Sequence, residues 1–302
     1  MISVIVLTRN EEIHLPRMIQ SVKSIADEIF VIDSFSDDRT VEIANEAGAV
    51  VLQNKFKNYA DQFQWALDNA PITSDWVMRL DADEIIEPDL VAEIQKKVPQ
   101  LGQEVVGINL KRKHIFMNRW VRWGGRYPLV LLRIWRNGHG RIEQRWMDEH
   151  MVVTGGKTET FHGGFADHNL KDLNFFVDKH NWYATREAID VLNQRLGLFA
   201  RDEGVKSENS SFQASFKRFM KEKVYNNIPF TVSSTAYFLY RYLLQLGFLD
   251  GRSGLVYHFL QGYWYRFLVG AKIMELEREI RGITDKTAIK QKIAELTGHK
   301  LD

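Results

Sequence analysis

The chain has 302 residues, 45% of them hydrophobic, enough for one large domain or for a domain with an added module. Its 40 basic and 39 acidic side chains nearly cancel, which argues against a nucleic-acid binder with its marked basic excess. There are no cysteines, so disulfides and thiolate metal sites are excluded, in keeping with a reducing compartment.

The first hundred residues alternate between two kinds of run. Ser3 to Leu7 (SVIVL) is apolar and β-branched, and no basic segment or cleavage site precedes it, so a cytoplasmic protein without a secretory signal is expected. A helical pattern follows over Leu15 to Ile25, then a second strand over Glu28 to Asp33 (EIFVID) and a second helix over Thr40 to Ala47. Ala49 to Leu52 gives a third strand, Tyr59 to Asn69 a third helix and Trp76 to Leu80 a fourth strand. Such alternation predicts βαβ units, hence an α/β fold with a mainly parallel sheet flanked by helices. Val105 to Leu110 and Leu129 to Trp135 read as further strands, joined by an acceptor-facing loop over 117–127. Gly155 to Asn169 is mixed, 202–211 is a polar loop or linker, and the chain turns helical and aromatic after Leu170.

Ligands of open parallel sheets bind beyond the carboxyl ends of the strands. Thr8-Arg9-Asn10-Glu11, Asp33-Ser34 and Asp81-Ala82-Asp83 each follow a predicted strand, so three strand ends point at one crevice. Acidic residues also make ordinary turns there, because their side chains bond local backbone. Two carboxylates one residue apart at a strand end can instead share a hard divalent cation with phosphate oxygens and water.

The segments VIVLTRNEE, VIDSFSDDRT and RLDADE, in this order across residues 1 to about 150, resemble family 2 glycosyltransferases with the GT-A fold. RWMDEH, FADHNLKDLNFFVDKHNWYATREA and YLLQLGFLDGRSGLVYHFLQGYWYRFLV resemble a narrower set. That set is the bacterial transferases of lipopolysaccharide cores and exopolysaccharides, including the lipopolysaccharide-core β-1,4-glucosyltransferase type. The resemblance implies a GT-A nucleotide-sugar domain over 1–169 and a helical extension over 170–302. It implies an inverting transfer of a hexose, glucose first, from a UDP-sugar to a hydroxyl of a lipopolysaccharide-core or lipid-linked saccharide.

The same resemblance assigns roles. Asp33 would meet the base or ribose, with Thr8, Arg9, Asn10 and Glu11 lining the nucleoside pocket. Asp81, Ala82 and Asp83 would meet the donor, and Asp83 and Asp81 would hold Mg²⁺ or Mn²⁺, with His168 completing the sphere or serving as a structural residue. Such an ion stabilises the charge on a departing diphosphate. Glu84 reads as structural. Glu149, with Asp148 as rival, would take the acceptor's proton. Gln62 and Gln64 would meet phosphate or base, or else form a solvated helix face. Arg126 and Arg133 would meet an anionic group or pair with carboxylates.

Residues 228–249 and 254–273 have membrane-spanning length, but Arg241 and Arg266 interrupt them. A central Arg costs roughly 2.5–3.5 kcal/mol on insertion scales, so two spans are the least favoured reading. Their Tyr and Trp content suits peripheral contact with the inner membrane, with Arg241, Arg266 and Lys272 near headgroups; helices packed on the catalytic domain or in a homo-oligomer are the other reading. Two further functions have sequence features against them. Sugar-nucleotide pyrophosphorylases carry a glycine-rich loop where this chain has TRNEE, and dehalogenase-type phosphatases place Asp-x-Asp after the first strand. A non-catalytic subunit of a polysaccharide assembly complex would not need all these acids.

Overall fold

The computed structural model describes residues 1–143, 150–199, 228–299 and 301. Contacts divide the chain after Leu170 into two units. The first is built on a nine-stranded sheet. Its parallel half comprises β1 (Ile2–Thr8), β2 (Glu28–Asp33), β3 (Val50–Gln53) and β4 (Trp76–Asp81), in the order β3-β2-β1-β4. The other half continues with β8 (Leu129–Arg136), β6 (Val105–Phe116), β11 (Lys157–His168) and β5 (Glu84–Ile86), with β7 (Arg119–Val121) on β6. There β8 runs antiparallel to both β4 and β6, and β5 antiparallel to β11, so the sheet is mixed. β9 (Gly140–Ile142) and β10 (Met151–Val153) form a separate ribbon.

Why the first strands lack a polar face follows from their burial on both sides. Val4 and Val6 of β1 face a core with Leu15 and Met18 of α1 (Leu15–Val22) and Leu90 and Ile94 of α4 (Pro88–Lys97). Ile5 points the other way, to Phe30, Ile32, Val77 and Trp135, under Phe63 and Ala66 of α3 (Tyr59–Asn69). Strands covered on both faces read as continuous apolar runs. α2 (Thr40–Glu46) follows β2 and buries Ala44 on the first side. Register then lines up the strand ends: Thr8 pairs with Asp33, and Leu7 with Asp81.

The mixed stretch expected at 155–169 is instead the twelve-residue strand β11, and β5 and α4 are not among the elements expected from the sequence. The glycines inside β11 obscure its period. Gly163 is needed there, since a Cβ would come within 2.5 Å of the Leu90 backbone on α4. The first helix ends at Val22, three residues before the expected Ile25.

The second unit is helical. α5 (Leu173–Leu196) starts on Asp172, whose carboxylate accepts from the Phe175 amide, and ends at Gly197 with φ 61°. Ala188, Ile189 and Leu192 of α5 share a core with Leu276, Ile280, Ile289 and Ile293. Between Phe230 and Glu279 the helices are broken by π turns at Tyr240–Leu244 and Phe259–Trp264 and by a corner at Leu246, where φ is 60°. No helix among the described residues is long and apolar enough to cross a membrane.

Candidate active site

The loops after β1 and β2 are laced together. Asp33 is buried and accepts from the Thr8 hydroxyl (3.1 Å) and the Ser36 amide (2.9 Å). The Asn10 amide donates to Ser36 Oγ, and the Asp37 amide donates back to Asn10 Oδ1. Glu11 N–H donates to Thr40 Oγ1 (2.8 Å) and Glu12 N–H to Asp38 Oδ2 (3.1 Å). Arg9 donates to the carbonyls of Ser34 (2.7 Å) and Phe35 and pairs with Asp37 at 2.9 Å. Asn10 and Phe35 both adopt positive φ, at 56° and 60°. Asn tolerates that region, while for Phe it is unusual and persists only where surrounding bonds hold it. Glu11 also accepts from His14 Nδ1 (2.5 Å), and His14 Nε2 accepts from the Leu170 amide, which fixes the imidazole tautomer.

Between these loops opens a cleft of about 400 Å³ lined by Arg9, Ser34, Lys55 and Phe56. Lys55 and Phe56 carry no motif and escape sequence reading; only their place just past the end of β3 points to them. Gln62 does not face this cleft with a spare amide. It is 1% exposed, donates to Ser34 Oγ and the Asn54 carbonyl, and accepts from the Asn54 amide, so it supports the cleft wall. Gln64 bonds Asp68 one turn along its own helix.

At the end of β4 the carboxylates are held differently. Asp81 accepts from the Tyr59 hydroxyl (2.7 Å) and has Arg133 at 3.6 Å. Burial works to raise its pKa, but the Arg133 and Arg79 charges and the Tyr59 bond outweigh it, and Asp81 stays ionised well below the ordinary range. Tyr59 in turn accepts from Arg79 Nε at 3.0 Å, and burial raises its hydroxyl pKa. Glu84 is 1% exposed, accepts from the Asp81 amide at 3.0 Å and meets Arg133 at 2.5 Å and Arg112 at 3.7 Å. Burial pushes its carboxyl upwards, Arg133 pulls it down and Asp81 adds to the rise. The expected structural role of Glu84 fits this position, and Arg133 is a buried counter-charge under the site. Ala82, between the two aspartates, is buried.

Asp83 is gripped from β11. Its carboxylate accepts from Asn169 (2.8 Å) and its carbonyl from the His168 amide (2.9 Å). His168 Nδ1 lies 3.3 Å from Arg17 Nη1 and its Nε2 lies 3.2 Å from Asn118 Oδ1. Desolvation and the Arg17 charge lower the His168 pKa, with Asp167 opposing, so the ring is neutral at pH 7. Its Nε2 thus meets the β6–β7 turn, where Met117 and Asn118 have the paired positive φ of a two-residue hairpin, while its Nδ1 faces α1. Among the described residues no three His, Asp or Glu side chains gather into a metal cluster. The donors of Asp81 and Asp83 are hard carboxylate oxygens, which suit Mg²⁺ or Mn²⁺ when a diphosphate supplies the remaining oxygens. Glu149, the expected base, and its rival Asp148 lie outside the described residues.

The chain is similar to known proteins. The model of Glycosyl transferase family 2 matches residues 3–166. An uncharacterized glycosyltransferase of Rickettsia typhi is 40% identical over 295 residues, 93% of this chain and 89% of that protein. A lipopolysaccharide core biosynthesis glycosyltransferase of Rhizobium meliloti is 25% identical over 193 residues, 62% of this chain and 70% of that protein. Among solved structures, glucosyl-3-phosphoglycerate synthase from Mycobacterium tuberculosis, in complex with Mn²⁺, UDP and glucosyl-3-phosphoglycerate, is 26% identical over 37% of this chain, with a TM-score of 0.31. The chain spans 43% of that protein's length. With the family model covering more than half of the chain and a relative matched along nearly all of it, the chain belongs to glycosyl transferase family 2 and is a glycosyltransferase.

Proposed function

We propose that the protein is an inverting, metal-dependent hexosyltransferase that moves a hexose, glucose foremost, from a UDP-sugar to a hydroxyl of a lipopolysaccharide-core or lipid-linked saccharide. The observation that carries this reading is the register that sets Asp33 and Asp81 at the carboxyl ends of β2 and β4, with Asp83 two residues on and the cleft of Arg9, Ser34, Lys55 and Phe56 next to Asp33. Asp33 accepts bonds from the nucleoside, Phe56 offers a ring to the base, and Thr8, Asn10 and Glu11 hold the wall in shape. Asp83 and Asp81 would hold Mg²⁺ or Mn²⁺, which when bound supplies Lewis-acid stabilisation of the departing diphosphate. Glu149, or Asp148 in its place, takes the proton of the acceptor hydroxyl as that oxygen attacks the anomeric carbon and the bond to the diphosphate breaks. The lipopolysaccharide-core acceptor draws support from the Rhizobium meliloti relative.

Thermal shift with UDP-sugars, with and without Mn²⁺, tests the donor reading, since a ligand that binds only the native state raises the melting temperature. Asp83→Ala should lose transfer and the metal dependence of UDP binding while keeping its fold; unchanged turnover would sink the assignment. Glu149→Gln should lower kcat by roughly 10²–10⁴ with donor affinity kept. If Asp148→Asn carries the large loss instead, the rival is the base.

A further inference from the structure

The corner of the helical hairpin at residues 239–249 turns apolar side chains outward. Leu239, Leu243, Leu244, Leu246, Phe248 and Leu249 are all at least 40% exposed, and Leu244 reaches 76%. Eleven of the twenty-four exposed large hydrophobic side chains among the described residues fall within 228–259, a tenth of the chain. Scattered exposed leucines need no explanation, but a cluster of this density marks a contact surface.

The local structure explains how the cluster comes to face outward. The π turn at Tyr240–Leu244 adds a residue to the helical repeat and shifts the face that follows it. Leu246 then takes a left-handed conformation, and Gly247 is required behind it, where a Cβ would lie 2.7 Å from the His258 ring and 2.9 Å from the Arg241 carbonyl. Tyr242 folds inward, edge-on to Phe248 and to His258. The charged groups of the segment turn in with it. Arg241 is only 5% exposed, its guanidinium 5.6 Å from the Tyr237 ring and 6.0 Å from the Tyr257 ring. The expectation that Arg241 reaches headgroups is therefore corrected.

Charge selects the occupant. Asp250 is the one acid between residues 228 and 274, and it is buried. Arg252 is exposed beside the corner, and Arg266 and Lys272 follow as partly exposed cations. An apolar corner with Arg252 exposed beside it and no exposed acid between residues 228 and 274 complements an anionic, hydrocarbon-backed surface, and a protein partner would have to match that cation with an acid of its own. We propose that residues 239–249 insert into the outer part of an anionic phospholipid bilayer as a shallow wedge. The side chains of Leu243, Leu244 and Leu249 enter the acyl boundary, and Arg252 meets lipid phosphates. Such interfacial docking combines buried apolar area with attraction to anionic lipid. It deepens the lipid-linked acceptor reading by naming the surface that reaches the lipid, and it is tested without turnover, so the two can fail separately.

The test is flotation of the full chain with vesicles of phosphatidylglycerol and phosphatidylcholine, beside phosphatidylcholine alone. Wild-type protein is expected to float with the anionic vesicles and more weakly with the neutral ones. Leu244→Glu and Leu249→Glu should each lower the partition coefficient about tenfold, the order of the loss when one inserted leucine is withdrawn. Both positions are exposed, and an unchanged circular dichroism melt shows that the variants are folded. Leu296→Glu, an exposed leucine outside the corner, should float like wild type. Wild-type protein left unbound at low salt overturns the proposal, as does equal flotation of the corner variants. A soluble dimer that Leu244→Glu converts to monomer, with no vesicle binding, assigns the corner to a second copy and overturns it too.

Discussion

Arg133 decides how a cluster of acids can sit at the end of β4. It is 3% exposed, and its guanidinium faces Glu84 at 2.5 Å and Asp81 at 3.6 Å, with the Phe165 ring 5.4 Å away. Removing one partner of a buried ion pair leaves an uncompensated charge, whereas replacing both members is often tolerated. Arg133→Met should therefore cost about 3–5 kcal/mol in urea unfolding. Adding Glu84→Gln, which keeps an acceptor for the Asp81 amide, should recover part of that loss. A double variant no more stable than Arg133→Met would mean that packing, not charge, is what Arg133 supplies. Activity separates the roles further: Asp81 loses its nearest cation in both variants, so donor affinity should stay impaired even where stability returns.

At the scale of elements, the two loops after β1 and β2 behave as one clasp, and Asp38 is its pin. Its carboxylate accepts from the Glu12 amide (3.1 Å) in one loop and the Thr40 amide (2.9 Å) in the other. Burial alone would raise its pKa; the Thr40 and Glu12 bonds prevail and hold it below its ordinary 3.8. A carboxylate depressed in the folded state contributes stability above its unfolded pKa and loses it as pH falls through the folded value. Asp38→Ala should thus cost about 1–2 kcal/mol at pH 7 and raise the KM for donor. The stability gap to wild type should close as the pH drops below 3.8 towards the folded value; a gap constant down to pH 2 would rule out the ionised bonds as its source. The sequence shows the motifs that form this clasp but not the clasp. TRNEE and DSFSDDRT are legible because strand ends gather polar residues, and the βαβ rhythm sets their order. What it hides are partners brought from afar: Tyr59 on Asp81, Asn169 on Asp83, Lys55 and Phe56 at the cleft. None has a local signature, since each is placed by tertiary register. β11 was hidden for a related reason, its glycines serving the approach of α4 rather than the strand.

On the scale of the whole molecule, a catalytic unit and a helical unit share one chain, joined at Leu170 and Lys171. If the helical unit holds to a bilayer, the saccharide acceptor borne by lipid is presented at a high effective concentration. Tethering of that kind raises apparent affinity by roughly 10²–10⁴ without a new contact at the reacting atoms. Transfer to a lipid-linked saccharide in phosphatidylglycerol-containing vesicles should then show a far lower apparent KM than transfer to the same saccharide freed of its lipid. Leu244→Glu should erase most of that difference and leave both kcat and the KM for the free saccharide unchanged, because the corner carries none of the residues expected to bind donor or take the proton. High salt should act in the same direction but less completely, since screening weakens the cations and not the inserted leucines. A KM for lipid-borne acceptor that Leu244→Glu does not move would show that the catalytic unit finds its acceptor without help from the helical corner.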